Sequence, residues 1–518
     1  MVKIFIDEQP VEVEEGTTVL EAAEQAGIPI PHFCYHPAFP PEGSCRMCVV
    51  EIEGLPKLEL ACSTQVKEGM KVSTQSEKVI QARKGVLEFL LAEHPMDCPI
   101  CDKAGECKLQ DYYEQYGLFE SQFDEYKEKR DKKVKIGKNL ILDQERCILC
   151  TRCVRFLREM TKTQELGIFN RGVRSVVDIY EDAPVDNNYT GNLAEICPVG
   201  AITDSDFRFK TRTWFLNQGE SICPLCSRGC NIFVEYHGGF PRFSLPKRVY
   251  RIKPRENHHV NGFWICDRGR YGYPYIDQNR LDQITVSNSA PSENLTWENI
   301  IPLISQRLKR LYHMKRGSRI ALILNTCLSN EELFLIHKIF HVDQNVEKIF
   351  FADPPDEAED GFLLTPERTP NKKGAKEIGF DYKPVDLEAL AHGTQFLMVF
   401  GSHLSHQHGL AEVKSSLDKI ETKILFTSHA NQWNDIFDMV LPTALIPEKE
   451  GSLTNFQGKI QSFPLALEPL GKSQPEWKIM VDLAKNLGLN FKYYRQFTSP
   501  QAVMQAMRGE IGFFGKTK

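Results

Sequence analysis

The sequence predicts a multidomain α/β protein whose N-terminal half is organised around metal clusters. A chain of 518 residues is too long for a single hydrophobic core and predicts three or four domains. Fifteen of its 16 cysteines lie between Cys34 and Cys266, and thiols this dense in a reducing compartment indicate metal ligands rather than disulfides. In the second half, apolar runs such as RIALILN and TQFLMVFGS alternate with helical patterns, which is typical of α/β domains.

Composition and motifs exclude several function classes. The net charge of −6 and the lack of a long basic run argue against nucleic-acid binding. The N-terminus has no signal-peptide or transit-peptide pattern, and no window approaches the length of apolar sequence that spans a bilayer. We therefore expect a cytoplasmic protein that meets a membrane only through partner subunits. Dinucleotide-binding, phosphate-binding and nucleophile-elbow motifs are absent from the sequence. It therefore predicts no catalytic residues, and a two-electron donor would need a flavin on another subunit.

Residues 1–78 are predicted to form a ferredoxin-like β-grasp domain with a [2Fe–2S] cluster. The segments VKIFID and VEVEE resemble a β-hairpin, and TTVLEAAEQAG resembles a helix that Thr17 caps and Gly27 ends. Four cysteines follow, with three on one loop and the fourth after a later strand: Cys34, Cys45, Cys48 and Cys62. That arrangement suits a four-cysteine [2Fe–2S] cluster. A zinc ribbon is the alternative, but such sites usually have two close cysteine pairs.

Residues 79–120 are predicted to hold a [4Fe–4S] cluster with one histidine ligand. The amphipathic helix SEKVIQARKGVLEFLLAEHP stops at Pro95 and leaves His94 at its exit. Three cysteines follow without a fourth nearby: Cys98, Cys101 and Cys107. Imidazole replaces thiolate on iron in Rieske centres, so His94 is the candidate for the missing ligand. The alternatives are a solvated histidine at a helix end and an open position kept for water or substrate.

Residues 138–215 are predicted to form a bacterial-ferredoxin-like domain with a single [4Fe–4S] cluster. A charged connector, FDEYKEKRDKKVK, precedes it and is interpreted as a solvated helix or linker. The predicted ligands are a C-x2-C-x2-C triplet and a later cysteine before proline: Cys147, Cys150, Cys153 and Cys197. A second cluster would need four more cysteines, and other residues occupy the corresponding positions: Leu157, Asn187, Thr190 and Leu193.

Residues 216–275 contain a fourth set, in which a C-x2-C-x3-C triplet is closed by a distant cysteine. Its members are Cys223, Cys226, Cys230 and Cys266. A third [4Fe–4S] cluster is favoured, and zinc remains open as the alternative because the spacing is less distinctive.

Residues 276–518 are predicted to form an α/β region with buried strands at RIALILN, EKIFFAD, TQFLMVFGS and TKILFTSH. The segment DPPDEAEDGFLLTPERTPNKKGAKE is predicted to be a long surface loop. In GSHLSHQHG, three histidines could bind a metal, but a polar loop is favoured because no carboxylate or cysteine completes a set: His403, His406 and His408. Cys327 is interpreted as a small buried apolar residue.

The order of these motifs resembles one known family. The sequence contains, in order, a histidine with three cysteines, a lone bacterial-type set, GNLAEICPVGAIT and CDRGRYGY. This order resembles the large iron–sulfur subunit, of the 75 kDa type, of proton-pumping NADH–quinone oxidoreductase, complex I. The resemblance implies that the first three clusters belong to a chain of clusters from an FMN subunit toward quinone-side iron–sulfur subunits. The implied activity is NADH:quinone reduction with proton translocation by the whole complex, on the cytoplasmic face of a bacterial inner membrane.

From Cys223 onward the sequence is similar to molybdopterin oxidoreductases, in particular at NQWNDIFDMVLPTALIPEKEGSLTNFQGKIQ. Those domains are usually far longer, so the resemblance implies a shortened remnant without molybdenum. The alternative function is a cluster-carrying subunit of a soluble NAD-linked hydrogenase or formate dehydrogenase. Such relatives usually keep the second bacterial-type cluster, which this sequence lacks. A non-redox zinc scaffold would explain the cysteines but not four sets in this order.

Overall fold

The computed structural model describes residues 1–117, 120–121, 123–180, 183–237, 248–287, 295–313, 317–401 and 407–515. The chain divides into two compact units, residues 1–216 and residues 217–518. Within the described ranges, no helix is both long enough and apolar enough to cross a membrane.

The N-terminal unit begins with a five-stranded sheet and a short helix that packs against it. Its elements are β1 (Val2–Ile6), β2 (Gln9–Val13), α1 (Val19–Gln25), β3 (Val49–Ile52), β4 (Glu59–Leu60) and β5 (Lys71–Ser73). The strand order is β2-β1-β5-β3-β4, with β1 antiparallel to β2 and parallel to β5. Alternate residues of the hairpin, such as Ile4 and Val11, share a buried core with Leu20 of α1. The predicted hairpin and helix are therefore present.

Thr18 caps α1, so the prediction of Thr17 was wrong by one residue. The Thr18 hydroxyl accepts from the Glu21 N–H at 3.3 Å, and the Glu21 carboxylate accepts from the Thr18 N–H at 2.8 Å, which completes a capping box. Thr17 instead offers its carbonyl to the Val66 N–H at 2.9 Å. Gly27 follows the helix with a φ of +71°, the left-handed conformation that glycine adopts at low cost.

The rest of this unit consists of short elements joined by long loops. They are α2 (Glu77–Glu93), α3 (Lys108–Tyr116), β6 (Val134–Lys135), β7 (Leu140–Leu142), α4 (Arg152–Phe156), β8 (Leu166–Phe169), β9 (Val176–Ile179), α5 (Gly191–Ile196) and β10 (Ile202–Asp204). Strands β10, β7 and β6 form one antiparallel sheet, and β8 pairs with β9. The charged connector forms no helix between residues 123 and 133. The buried Arg83 of α2 donates to the Val49 carbonyl at 3.0 Å and to the Tyr116 hydroxyl at 2.9 Å, which ties α2 to β3 and α3.

The C-terminal unit contains a small antiparallel sheet and a larger α/β sheet. Its strands are β11 (Leu216–Ile222), β12 (Asn231–His237), β13 (Val249–Pro254), β14 (Thr285–Val286), β15 (Ile320–Leu324), β16 (Lys348–Phe351), β17 (Phe396–Phe400), β18 (Thr422–Thr427), β19 (Met439–Pro442), β20 (Gly451–Thr454) and β21 (Ile460–Phe463). Its helices are α6 (Asp267–Tyr271), α7 (Trp297–His313), α8 (Asn330–Ile336), α9 (Lys372–Ile378), α10 (Leu387–Ala391), α11 (Leu410–Leu417), α12 (Glu476–Leu487), α13 (Phe491–Arg495), α14 (Pro500–Glu510) and α15 (Gly512–Gly515).

The large sheet has the order β14-β19-β18-β17-β15-β16, parallel except for β14 at the edge. Every residue of β15 and of β17 is buried, as expected for parallel strands covered on both faces. All four predicted strands are present, as β15 to β18. The predicted surface loop is different: α9 begins inside it at Lys372, and Asp353, Thr369 and Asn371 are buried. Burial of these polar side chains is possible because their polar atoms have partners; the Thr326 hydroxyl, for example, donates to Asp353 at 2.7 Å.

Candidate iron–sulfur sites

Two members of the first cysteine set, Cys48 and Cys62, belong to the core that the N-terminal sheet and α1 share. Cys34, Cys45 and Cys48 lie between α1 and β3, and Cys62 follows β4. The Cys34 N–H donates to the Cys45 sulfur at 3.5 Å. The thiols of Cys34 and Cys45 also hydrogen-bond to each other, as do those of Cys48 and Cys62. The charge of Cys34 further acts on Cys62, so the two pairs are neighbours.

These thiol pairs favour one thiolate each. The hydrogen bond from Cys45 lowers the pKa of Cys34 to about 5, and the same bond raises the pKa of Cys45. In the second pair, the hydrogen bond between Cys48 and Cys62 lowers the pKa of Cys62 and raises that of Cys48. The thiolate is the form that ligates metal, so each pair contains one cysteine whose pKa is shifted toward that form.

In the second set, His94 is the C-cap of α2, and its N–H donates to the Leu90 carbonyl at 3.2 Å. The imidazole is buried, and desolvation, followed by the charge of Arg146, lowers the pKa of His94 to about 4. A neutral ring at neutral pH is the form that binds metals. Among the described residues, His94 Nδ1 has no hydrogen-bond partner although it is buried. A buried ring nitrogen without a partner fits a ligand and not a solvated helix end.

The three cysteines of this set lie on a loop that leads from α2 to α3. Cys98 opens a 3₁₀ turn, the Cys101 N–H donates to the Cys98 carbonyl at 3.1 Å, and Cys107 is the N-cap of α3. Burial raises the pKa of Cys107 to about 11. Arg212 holds the loop from outside by donating to the Cys101 and Pro99 carbonyls, both at 2.6 Å.

All four cysteines of the third set line one cavity. Its other walls are mainly apolar: Leu142, Ile148, Val177, Val199, Ala201 and Ile202. Leu149 and Thr151, on either side of Cys150, have positive φ values of 52° and 62°. Such conformations are costly for residues other than glycine and occur mostly where a site requires them. Burial raises the pKa of Cys147 to about 12 and that of Cys150 to about 11, so the thiolates need a bound cation.

A glycine lies where the segments of the second and third sets come into contact. Gly200 lies three residues after Cys197, and a Cβ atom there would overlap the Cys101 sulfur. In the same segment, the Pro198 carbonyl accepts a hydrogen bond from the Lys108 N–H at 2.9 Å. Lys103 Nζ donates to the Ala194 carbonyl at 3.0 Å. The loop of the second set is therefore packed directly against the chain that carries the last cysteine of the third.

The fourth set lies in the C-terminal unit, and all four cysteines are buried. The Cys223 N–H donates to the Cys230 carbonyl at 2.8 Å. Cys266 is the N-cap of α6, where its sulfur accepts from the Gly269 N–H at 3.4 Å. A Cβ atom on Gly269 would lie 3.2 Å from the Cys223 sulfur, so this glycine permits the close approach. Burial raises the pKa of Cys266 to about 11, and the Cys226 thiol adds to that shift.

The donor sets fit iron–sulfur clusters on three counts. Thiolate and imidazole are the ligands that such clusters take, the cavity of the third set is mainly apolar, and His94 Nδ1 lacks a partner within the described residues. In the described part of the chain, no three His, Cys, Asp or Glu side chains are grouped to hold a single metal ion. A cluster differs from a single ion because it distributes its protein ligands over several iron atoms.

Two further predictions concern the histidines of GSHLSHQHG and Cys327. His403 and His406 lie outside the described residues, whereas His408 Nε2 lies 3.4 Å from the Val385 carbonyl and its Nδ1 lies 3.4 Å from Glu412. Cys327 was predicted to be a buried apolar residue, but it is only partly buried, so that prediction was wrong in the degree of burial. Desolvation, followed by the charge of Asp353, raises the pKa of Cys327.

Sequence reasoning missed two residues that contact the predicted ligand segments. Gly200 permits the close approach to Cys101, and Arg152 donates to carbonyls beside Cys34 and Cys197. In the sequence, the glycine that follows Cys-Pro-Val is a signal that could have indicated a close approach of another segment to the backbone. Nothing in the sequence indicates the partners of Arg152, because Tyr35 lies 117 residues away.

Five family models match the chain in the predicted order. Residues 1–77 match a 2Fe-2S iron-sulfur cluster binding domain, and residues 83–122 match the NADH-ubiquinone oxidoreductase-G iron-sulfur binding region. Residues 137–203 match the ferredoxin-like domain of NADH-quinone oxidoreductase subunit 3. Residues 219–278 match the molybdopterin oxidoreductase Fe4S4 domain, and residues 365–486 match molybdopterin oxidoreductase. The predicted fold class is therefore confirmed.

Curated relatives carry the corresponding names. The NADH-ubiquinone oxidoreductase 75 kDa subunit of Reclinomonas americana is 38% identical over 341 residues, which cover 66% of this chain and 48% of the relative. The second G-type NADH-quinone oxidoreductase subunit of Rhizobium meliloti (strain 1021) is also 38% identical over 341 residues, with 65% and 39% covered. The chain thus spans about half the length, or less, of the curated relatives it matches. The resemblance predicted from the ligand order is confirmed.

One solved structure, an NAD+-reducing [NiFe]-hydrogenase in the H2-reduced state, is 35% identical and covers 41% of this chain and 91% of its own. Its TM-score is 0.38, which is too low to decide between the two functions.

Proposed function

We propose that this chain, which is related over about two thirds of its length to the 75 kDa and G-type proteins, is the electron-carrying iron–sulfur subunit of an NADH–quinone oxidoreductase. In this role it passes single electrons from an FMN subunit that oxidises NADH toward quinone-side iron–sulfur subunits. Proton translocation belongs to the whole complex, and no independent active site is expected in this chain. The observation that carries the proposal is the direct packing of ligand segments in the N-terminal unit.

The proposed cofactors are one [2Fe–2S] cluster and two or three [4Fe–4S] clusters, without molybdenum. The [2Fe–2S] domain is assigned to residues 1–78, the His-ligated domain to residues 79–120 and the single-cluster ferredoxin-like domain to residues 138–215. Residues 216–275 are assigned to the fourth set and residues 276–518 to a reduced molybdopterin-oxidoreductase-like region. When bound, such clusters supply one-electron transfer, with potentials set by ligand charge, hydrogen bonds to sulfur and burial.

The contacts of the N-terminal unit support a continuous electron path. Arg152 links the backbone beside Cys34 to the backbone beside Cys197, and Gly200 brings the latter segment against Cys101. The exposed side chains of Met96 and Ile100 flank Cys98, which is itself partly exposed. This end of the His94 set is therefore the side where we expect a partner subunit to accept electrons.

The proposed partners are the FMN- and NADH-binding subunit and the quinone-side iron–sulfur subunits of the same complex. The chain is expected to reach the cytoplasmic face of a bacterial inner membrane only through them. The names of the relatives, which are subunits of NADH–quinone or NADH–ubiquinone oxidoreductases, support this assembly.

Metal analysis of the anaerobically purified protein, with EPR of the reduced sample, tests the proposal. With clusters in all four sets, the proposal predicts about 14 iron atoms per chain with little zinc or molybdenum. About 10 iron atoms with one zinc would make the Cys223 set a structural zinc site and leave the electron path intact. Stoichiometric molybdenum, or a colourless zinc protein, would refute the proposal.

An activity measurement on the native complex separates the proposed function from the hydrogenase alternative. The complex that contains this chain should oxidise NADH with a quinone acceptor. Reduction of NAD+ by H2 or formate in the same preparation, without NADH:quinone activity, would instead support the alternative.

A further inference from the structure

Arg152 connects the first and third ligand sets through two backbone carbonyls. Its guanidinium donates to the carbonyl of Tyr35, the residue after Cys34. It also donates to the carbonyl of Ile196, the residue before Cys197, at 3.3 Å. The same side chain lines the cavity that contains the four cysteines of the third set. One side chain therefore touches the ligand-bearing backbone on both sides.

Among the described residues, the charge of Arg152 has no acidic partner, whereas the charges of Arg155 and Arg158 have one each. In the described part of the protein Arg152 forms no ion pair, and its buried Nε has no hydrogen-bond partner. One turn later, Arg155 lies 3.9 Å from Glu42, and the exposed Arg158 is paired with Glu159 at 2.7 Å. Arg152 is partly buried, and a cation withdrawn from water without a carboxylate is costly unless another anion compensates it.

The groups that face Arg152 are the cysteines of the two predicted sites. The guanidinium lines the cavity of the third set, which contains Cys147, Cys150, Cys153 and Cys197, and it hydrogen-bonds to the backbone next to Cys34. Cysteine ligates metal as the anionic thiolate, so these ligands can supply the negative charge that Arg152 lacks among carboxylates.

We propose that Arg152 is a positioning residue that serves as the shared counter-ion of the first and third centres and raises the reduction potential of both. Reduction of either centre adds one electron, and hence one negative charge, beside the guanidinium. The fixed positive charge stabilises that added charge without requiring a proton to move. Because the two hydrogen bonds join the ligand-bearing loops, Arg152 also fixes the distance between the two sites. This inference rests on the proposed function, since it requires clusters at both sites.

The test is an EPR-monitored redox titration of the anaerobically purified full-length protein and three variants. In Arg152→Gln, the charge is lost, and the midpoint potentials of the [2Fe–2S] centre and of the Cys147 centre should both shift to more negative values. Arg152→Lys retains the charge and should keep both potentials near those of the unmodified protein. Arg158→Gln, on the exposed side of the same segment, is the matched control and should change neither.

Several results would overturn the inference. They are a shift of only one centre in Arg152→Gln, no shift with both signals intact, or an equal shift in Arg158→Gln. If Arg152→Gln does not assemble both clusters, Arg152→Lys decides: unchanged potentials support the counter-ion role, and shifted potentials refute it. Absence of both signals in the unmodified protein would refute the proposed function itself, which keeps the two failures distinguishable.

Discussion

Replacement of Lys449 by methionine should destabilise the C-terminal unit by about 3–5 kcal/mol, the usual cost of removing one partner from a buried ion pair. Lys449 Nζ donates to both carboxylate oxygens of Glu332 and to one of Glu476, all at 2.8 Å. All three side chains are buried. The substitution therefore removes three charge-assisted hydrogen bonds and leaves two adjacent carboxylates without their cation.

The loss should depend on pH, because one carboxylate of this cluster holds a proton. Desolvation, followed by the charge of Glu332, raises the pKa of Glu476 to about 8. When folding raises the pKa of an acid, its protonated form stabilises the folded state. That stabilisation is fully present below the unfolded-state pKa of about 4.3 and is lost as the pH rises through the folded-state pKa. Without Lys449, a protonated Glu476 can still donate to Glu332, but a deprotonated one cannot. The destabilisation should therefore be smaller at pH 6 than at pH 9.

The assay is anaerobic urea denaturation of the full chain, followed by tryptophan fluorescence, since Trp477 is adjacent to Glu476 and packs against the core of the large sheet. Lys478→Met, an exposed lysine on the same helix, is the matched control and should cost less than about 0.5 kcal/mol. A loss below about 1 kcal/mol for Lys449→Met, or a loss that does not change between pH 6 and pH 9, would refute this account of the cluster.

Three further substitutions test the N-terminal unit. Gly200→Ala should force the Cys197 segment away from Cys101 and lower the iron content at the His94 site, measured by EPR, whereas Gly85→Ala, with open space around it, should not. His94→Cys should keep a cluster but lower its midpoint potential, because a thiolate adds negative charge; an unchanged potential in a redox titration would contradict the ligand assignment. Thr18→Ala should cost about 1 kcal/mol in thermal or urea unfolding by removing the capping box of α1, and Thr17→Ala should cost clearly less.

Local patterns in the sequence predict most of the elements. The buried strands β15 to β18 are present where continuous apolar runs predict them, because a parallel strand covered on both faces needs apolar residues at every position. Errors occur where a tertiary contact decides the outcome. The carbonyl of Thr17 pairs with Val66, so the cap moves to Thr18, and a segment predicted to be a surface loop buries Asp353 because Thr326 and Tyr382 donate to it.

The sequence by itself determined which side chains are available as ligands, since cysteine spacing and the position of His94 after a helix are local properties. The tertiary structure alone decided which sets are neighbours and what surrounds them. Arg152 reaches Tyr35 across 117 residues, and Lys449 reaches Glu332 across the same separation. Contacts of this kind depend on how distant segments pack, and a single side chain carries no signal in the sequence for its partner. The chemistry of the sites is therefore local, whereas their order and electrostatic environment are properties of the folded chain.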